Sequence, residues 1–172
     1  RPGPYGGALA QRAALVRRIL AAIRRDCPGL EIGVRVSLAD ALPQGFGVDA
    51  QDPQRFDLEE PLAFLRLLHA DGVRLVNVTL GSPYYCPHLQ RPAAYPPSDG
   101  YEPPRDPLLE VIAHLRAVRA VRRALPDLVL VGSGYSYLQE WLPHVAQHEV
   151  ARGHVDFAGL GRMMLAYPEL PA

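Results

Sequence analysis

Lysine is absent from these 172 residues, so every one of the 18 basic side chains other than histidine is an arginine. We ascribe this to coding bias before function, but it does exclude a strand-borne Schiff-base lysine of the aldolase kind. Acidic side chains also number 18, giving a formal net charge of zero. A neutral chain offers no electrostatic case for nucleic acid or an anionic membrane as partner. Cysteine is scarce: Cys27 and Cys86 are the only two, and their spacing fits neither a zinc knuckle nor a disulfide framework. No apolar run approaches the roughly 20 residues needed to span a bilayer. The Arg1-Pro-Gly-Pro4 start carries no basic-then-apolar signal segment. With 48% hydrophobic residues, the expectation is a globular chain in a reduced, cytoplasmic setting.

What is present is an alternation of helix and strand patterns. Leu9, Ala13, Val16, Leu20 and Ile23 step by four and three, which predicts an amphipathic helix over 8–25 that Cys27-Pro28-Gly29 stops. Ile32–Ser37 reads as a short strand. Asp57 caps a predicted helix over 58–70, and Val73–Leu80 reads as a second strand. Asp106-Pro107 is a helix start, followed by apolar Leu108, Val111, Ile112, Leu115 and Val118. Leu128–Val131 is a third strand, a helix over 137–152 is predicted to kink at Pro143, and Val155–Leu160 is a fourth strand with a turn of helix from Arg162. Helix then strand, repeated, argues for parallel βαβ units. A full (β/α)8 barrel takes about 250 residues. With a helix before its first strand and no initial methionine, this chain is expected to be a fragment: the C-terminal half of a TIM barrel, an α/β fold, as a single partial domain over 1–172.

Chemistry concentrates at the predicted C-terminal strand ends, where barrel sites form. Leu128-Val-Leu-Val-Gly-Ser-Gly-Tyr135 and Val155-Asp-Phe-Ala-Gly-Leu-Gly-Arg162 are apolar runs that break into glycine. Glycine lets a backbone approach an anion closely, so Ser133, Gly134, Gly161 and Arg162 are candidate phosphate contacts. Arg35 lies within the first strand, and a charge there requires either a bound anion or a carboxylate partner. The loop from Gly81 to Arg105 is rich in proline and tyrosine. Long loops of this kind are usually functional, and Tyr84, Tyr85 and His88 are its candidate substrate-side or interface residues. The six histidines (His69, His88, His114, His144, His148, His154) read as helix-surface residues, with no pair at metal-ligand spacing. Met163-Met164 reads as packing.

Four of these stretches, in order, resemble the Old Yellow Enzyme family of NADH:flavin oxidoreductases. Tyr5-Gly-Gly-Ala-Leu-Ala-Gln-Arg12 is similar to the family's Tyr-Gly-Gly-Ser-x-Glu-Asn-Arg segment, departing at Ala8, Ala10 and Gln11. Gly33-Val-Arg-Val-Ser37 resembles the strand-five motif. Val131-Gly-Ser-Gly134 and Gly159-Leu-Gly-Arg162, with Ala166-Tyr-Pro168 behind, resemble strands seven and eight. The tyrosine loop and Gly134-Tyr-Ser-Tyr137 are closer to the branch related to 2,4-dienoyl-CoA reductases. The resemblance implies an FMN cofactor, with Arg35 at the flavin pyrimidine edge and Gly134, Gly161 and Arg162 at its phosphate. It implies NADH or NADPH as hydride donor and a small-molecule unsaturated carbonyl compound as acceptor. The carbonyl-binding pair would lie on earlier strands, and a homo-oligomer would be in keeping. Two rival readings share the glycine turns: a phosphate-binding barrel isomerase or lyase, and a non-catalytic half-barrel assembly module.

Overall fold

The computed structural model describes residues 3–95 and 101–170, so Arg1 and Pro2 and the Pro96–Gly100 part of the tyrosine loop lie outside the described residues. The segment expected as one helix over 8–25 is two: α1 (Leu9–Arg12) and α2 (Ala14–Asp26), parted at Ala13. Gln11 Oε1 accepts from the Ala8 N–H at 3.2 Å, satisfying one of the donors that a helix start leaves open. The chain continues as β1 (Gly33–Ser37), α3 (Glu59–Ala70), β2 (Leu75–Thr79), a short α4 (Pro87–Gln90) and α5 (Pro107–Ala124). Then come β3 (Val129–Gly132), a 3-10 helix (Tyr135–Trp141), α6 (Leu142–Ala151), β4 (Phe157–Ala158) and α7 (Met163–Ala166).

The helix starts follow local chemistry. Asp106 Oδ1 accepts from Leu108 N at 2.8 Å, with Pro107 in the first turn of α5. Asp57 Oδ1 accepts from Glu59 N at 3.0 Å at the start of α3. Pro143 does not kink a helix, contrary to expectation. It occupies the first turn of α6, where its missing N–H costs nothing. The chain turns sharply just before it, at Gln139 (φ 50°, ψ −121°).

The four strands form one parallel sheet in chain order, β1-β2-β3-β4. The fold is thus mixed α/β with sequential βαβ connections. Register aligns Arg35 with Asn77, Asn77 with Val131, and Val131 with Phe157. The row before it aligns Gly33, Leu75 and Val129. Side chains alternate across a strand, so these two rows share one face. The opposite face carries Val34, Val36, Val76, Val78 and Leu130, and it is here that the helices pack. Val36, Val76, Val78 and Leu130 are buried in a cluster with Leu20 of α2, Leu65 and Leu68 of α3, and Ala117, Val118 and Val121 of α5.

The other face is bare. Leu75, Val129 and Phe157 are 40%, 37% and 58% exposed. All-parallel sheets are ordinarily covered on both faces, whereas the apolar side chains of this row are exposed. Ion pairs reinforce the helical side: Arg17 grips Asp71 in a bidentate pair at 2.6 and 2.8 Å, and Arg119 of α5 pairs with the buried Glu149 of α6. Among the described residues, no helix is long and apolar enough to cross a membrane.

Candidate functional site: an arginine-lined cleft at the strand ends

At the C-terminal ends of the strands lies a cleft of about 650 Å³. β1 contributes Arg35 and β2 contributes Asn77. The turn after β3 brings Ser133 and Gly134, and the turn after β4 brings Gly159, Gly161 and Arg162. All five residues expected to contact a cofactor (Arg35, Ser133, Gly134, Gly161 and Arg162) therefore line one cavity. The convergence follows from topology: in a parallel sheet every strand delivers its C-terminal turn to the same edge.

Gly134 is fixed by conformation and by space. Its φ is +90°, in the left-handed region that favours glycine. A Cβ at this position would lie 2.8 Å from Cγ of His114. His114, expected on a helix surface, is instead buried in α5 directly behind this turn. Its Nε2–H donates to the Leu89 carbonyl at 2.9 Å, which leaves Nδ1 as an acceptor without a partner among the described residues. Burial holds this imidazole below its ordinary pKa, opposed by the Leu89 hydrogen bond and the Glu110 charge and helped slightly by Arg35. It is a neutral prop for the turn.

Asn77 has a role that local pattern does not reveal. Its Nδ2 donates to the Val131 carbonyl at 3.0 Å and to Ser133 Oγ at 2.9 Å. Ser133 Oγ is thus occupied as an acceptor, and its own hydrogen is left to donate. That polarity suits an anion in the cleft.

The electrostatics are one-sided. Arg35, Arg91 and Arg162 all line the cleft, and no carboxylate does among the described residues. Among the described residues none of the three guanidiniums takes part in an ion pair, whereas Arg12, Arg17, Arg25, Arg105, Arg119 and Arg122 each do. Of the two readings open for Arg35, the carboxylate partner is not found among the described residues.

The tyrosine loop enters the cleft through a different part than expected. Gln90, Arg91, Pro92 and Ala93 line it, while Tyr84 and Tyr85 face solvent, 87% and 71% exposed. His88 is outside the cleft, with Nδ1 2.8 Å from the Tyr101 hydroxyl, which also accepts from the His88 backbone N–H at 3.3 Å. Since Tyr101 Oη accepts that N–H, its own hydrogen can go to Nδ1. Burial is the main influence holding His88 below its usual pKa. Two further anchors hold the loop. Cys86 Sγ accepts from Ser82 N at 3.2 Å and donates to the Asp40 carbonyl at 3.1 Å, and burial pushes this thiol up. Arg105 pairs with the buried Glu110. Among the described residues, no group of three or more histidine, cysteine or acidic side chains is placed to hold a metal ion.

No family model matches the chain, and no curated protein matches it.

Proposed function

We propose that this chain forms the C-terminal half of an FMN-binding (β/α)8 barrel in an ene-reductase-like NAD(P)H:flavin oxidoreductase. The observation that carries the reading is the cleft: glycine turns and arginines that have neither an ion pair nor a neighbouring carboxylate among the described residues, at the C-terminal ends of a parallel sheet. The bare sheet face supports the barrel part of the proposal, because a second set of strands would convert it into a barrel interior. The sequence resemblance of the four motifs supplies the cofactor.

The residues present fit an FMN. The cavity lies within the ~300–1,000 Å³ typical of small-molecule sites. Gly134 and Gly161 leave their positions free of side chain, and no neighbouring atom lies within 4 Å of where a Cβ at Gly161 would sit. Arg162 adds a fixed charge beside those turns, and Ser133 adds a hydroxyl donor, so this end holds a phosphate. Arg35 would stabilise negative charge at the pyrimidine edge from an exposed position on the sheet. When bound, the cofactor would supply hydride transfer between a nicotinamide donor and an activated carbon–carbon double bond. This chain's part is to bind, orient and tune it.

The test is the visible spectrum of the purified protein that carries this chain, with Arg35→Ala and Arg162→Ala variants alongside. An oxidised-flavin band that weakens in both variants is the expected result. A colourless protein that FMN does not reconstitute overturns the proposal and moves a barrel acting on a phosphorylated metabolite to the front.

A further inference from the structure

The flavin reading employs two of the three arginines in the cleft and leaves the third unused. Arg91 lies just after α4, half-buried, with no ion pair among the described residues. A guanidinium held in a partly desolvated cavity without a partner is unfavourable unless a ligand supplies the counter-charge. Its neighbour Gln90 lines the same cavity, and Gln90 Oε1 is buried with no hydrogen-bond partner among the described residues. Buried side-chain oxygens are seldom left unbonded. Arg91 thus brings to the cleft a cation with no ion pair among the described residues, beside an acceptor that is closed off from solvent.

Their position is as informative as their chemistry. The loop that carries them follows β2, between Arg35 on β1 and the turns of β3 and β4. It is held there independently of any ligand. The Arg91 N–H donates to the Pro87 carbonyl at 2.8 Å, the Gln90 N–H donates to the Cys86 carbonyl at 3.3 Å, and Cys86 is itself tied to Asp40. The backbone at Arg91 is therefore fixed at the cleft wall, separate from the glycine turns.

We propose that Arg91 forms a second anion-recognising position, where its guanidinium binds a carboxylate or phosphate on the molecule that reacts with the cofactor. The assignment of the first anion to FMN rests on the function proposed above. The oxyanion has two possible sources, the acceptor substrate or the phosphate of NADPH, and both present the same chemistry to a guanidinium.

The test uses the flavoprotein and its Arg91→Gln and Arg91→Lys variants. Flavin content is read first, from the visible spectrum. Two selectivity ratios in kcat/KM follow: a carboxylate-bearing enone against a neutral cyclic enone, and NADPH against NADH. Losing one charge-assisted contact in a partly buried site corresponds to about a tenfold change or more. We expect Arg91→Gln to hold its flavin and to lower one ratio by about tenfold, with Arg91→Lys recovering part of the loss. A fall in the enone ratio assigns the oxyanion to the substrate, and a fall in the nucleotide ratio assigns it to the donor. Both ratios unchanged, or flavin lost along with the charge, overturns the inference. If the wild-type protein takes no flavin, the proposed function fails by itself. The second position is then read by calorimetric titration with inorganic pyrophosphate, which should bind about tenfold more weakly to Arg91→Gln, and equal affinities would refute it.

Discussion

Replacing Gly134 by alanine adds one methyl group where the structure has neither the torsion nor the room for it. The backbone there sits at φ +90°, ψ 7°, and forcing an L-residue into the left-handed region costs about 1–2 kcal/mol. The new carbon would meet His114 Cγ at 2.8 Å and Cδ2 at 3.0 Å. His114 is buried and tethered to the Leu89 carbonyl, so it has no easy retreat. Overpacking of that kind typically costs about 1–3 kcal/mol, for a sum of about 2–5 kcal/mol against a whole-domain stability of about 5–15 kcal/mol. Urea denaturation of wild type and Gly134→Ala measures the difference, with equal m-values confirming that stability alone has changed. Repeating the substitution in a His114→Ala background separates the two contributions: the steric part should vanish and about 1–2 kcal/mol should remain. A loss below about 0.5 kcal/mol in wild type would refute the account. An identical loss in both backgrounds would refute its steric half.

Protonation should also weaken this prop. Burial holds His114 below its ordinary value of 6.5, so the unfolded chain binds the proton more readily than the folded one. The stability it contributes is complete above about pH 6.5 and declines as the pH falls through that value, by at most about 1.4 kcal/mol per unit. His88 acts in the same direction. A denaturation midpoint that stays flat as the pH falls from about 8 to about 5 would contradict this, and His114→Gln should remove its share of the slope. Arg119→Met strands the buried Glu149 carboxylate, leaving it His154 alone at 3.1 Å. The expected loss is about 3–5 kcal/mol by thermal melting, much of it regained when Glu149→Gln is added. The bare sheet face should make these 172 residues, expressed alone, bind a hydrophobic dye and self-associate, and Leu75→Lys with Phe157→Lys should reduce both. A monodisperse, cooperatively melting monomer that ignores the dye would count against an open face.

The alternation of elements was legible because each is marked by local chemistry. Asp106-Pro107 and Asp57 announce helices through hydrogen bonds spanning two residues. Glycine after an apolar run marks a strand's end, and chain order alone then gathers those ends at one edge. The missed features depend on partners distant in the chain. Asn77 looks like any polar residue between two valines, and its meaning comes from Val131 and Ser133, 54 and 56 positions away. Gln90 and Arg91 reach the cleft only because the loop folds back on Cys86, and the exposed Tyr84 and Tyr85 drew attention to the wrong part of that loop. His114 did carry a signal. It falls on the stripe of Val111, Val118 and Val121, the buried side of α5, so its helical phase marked it as interior.

The strand pairing thins across the sheet. β1 and β2 align over five residue pairs, β2 and β3 over three, β3 and β4 over two. Amide protons should accordingly exchange fastest at the β4 edge, the edge that carries Gly161 and Arg162. The cleft is therefore asymmetric in rigidity as well as in charge. Arg35 stands on the firmest part of the scaffold, while Arg162 stands where local opening costs least. A ligand that spans both clamps the loose margin to the firm one, so part of its intrinsic affinity goes into ordering that margin. Its binding should then appear as slowed exchange concentrated in β4 and the turn beyond it.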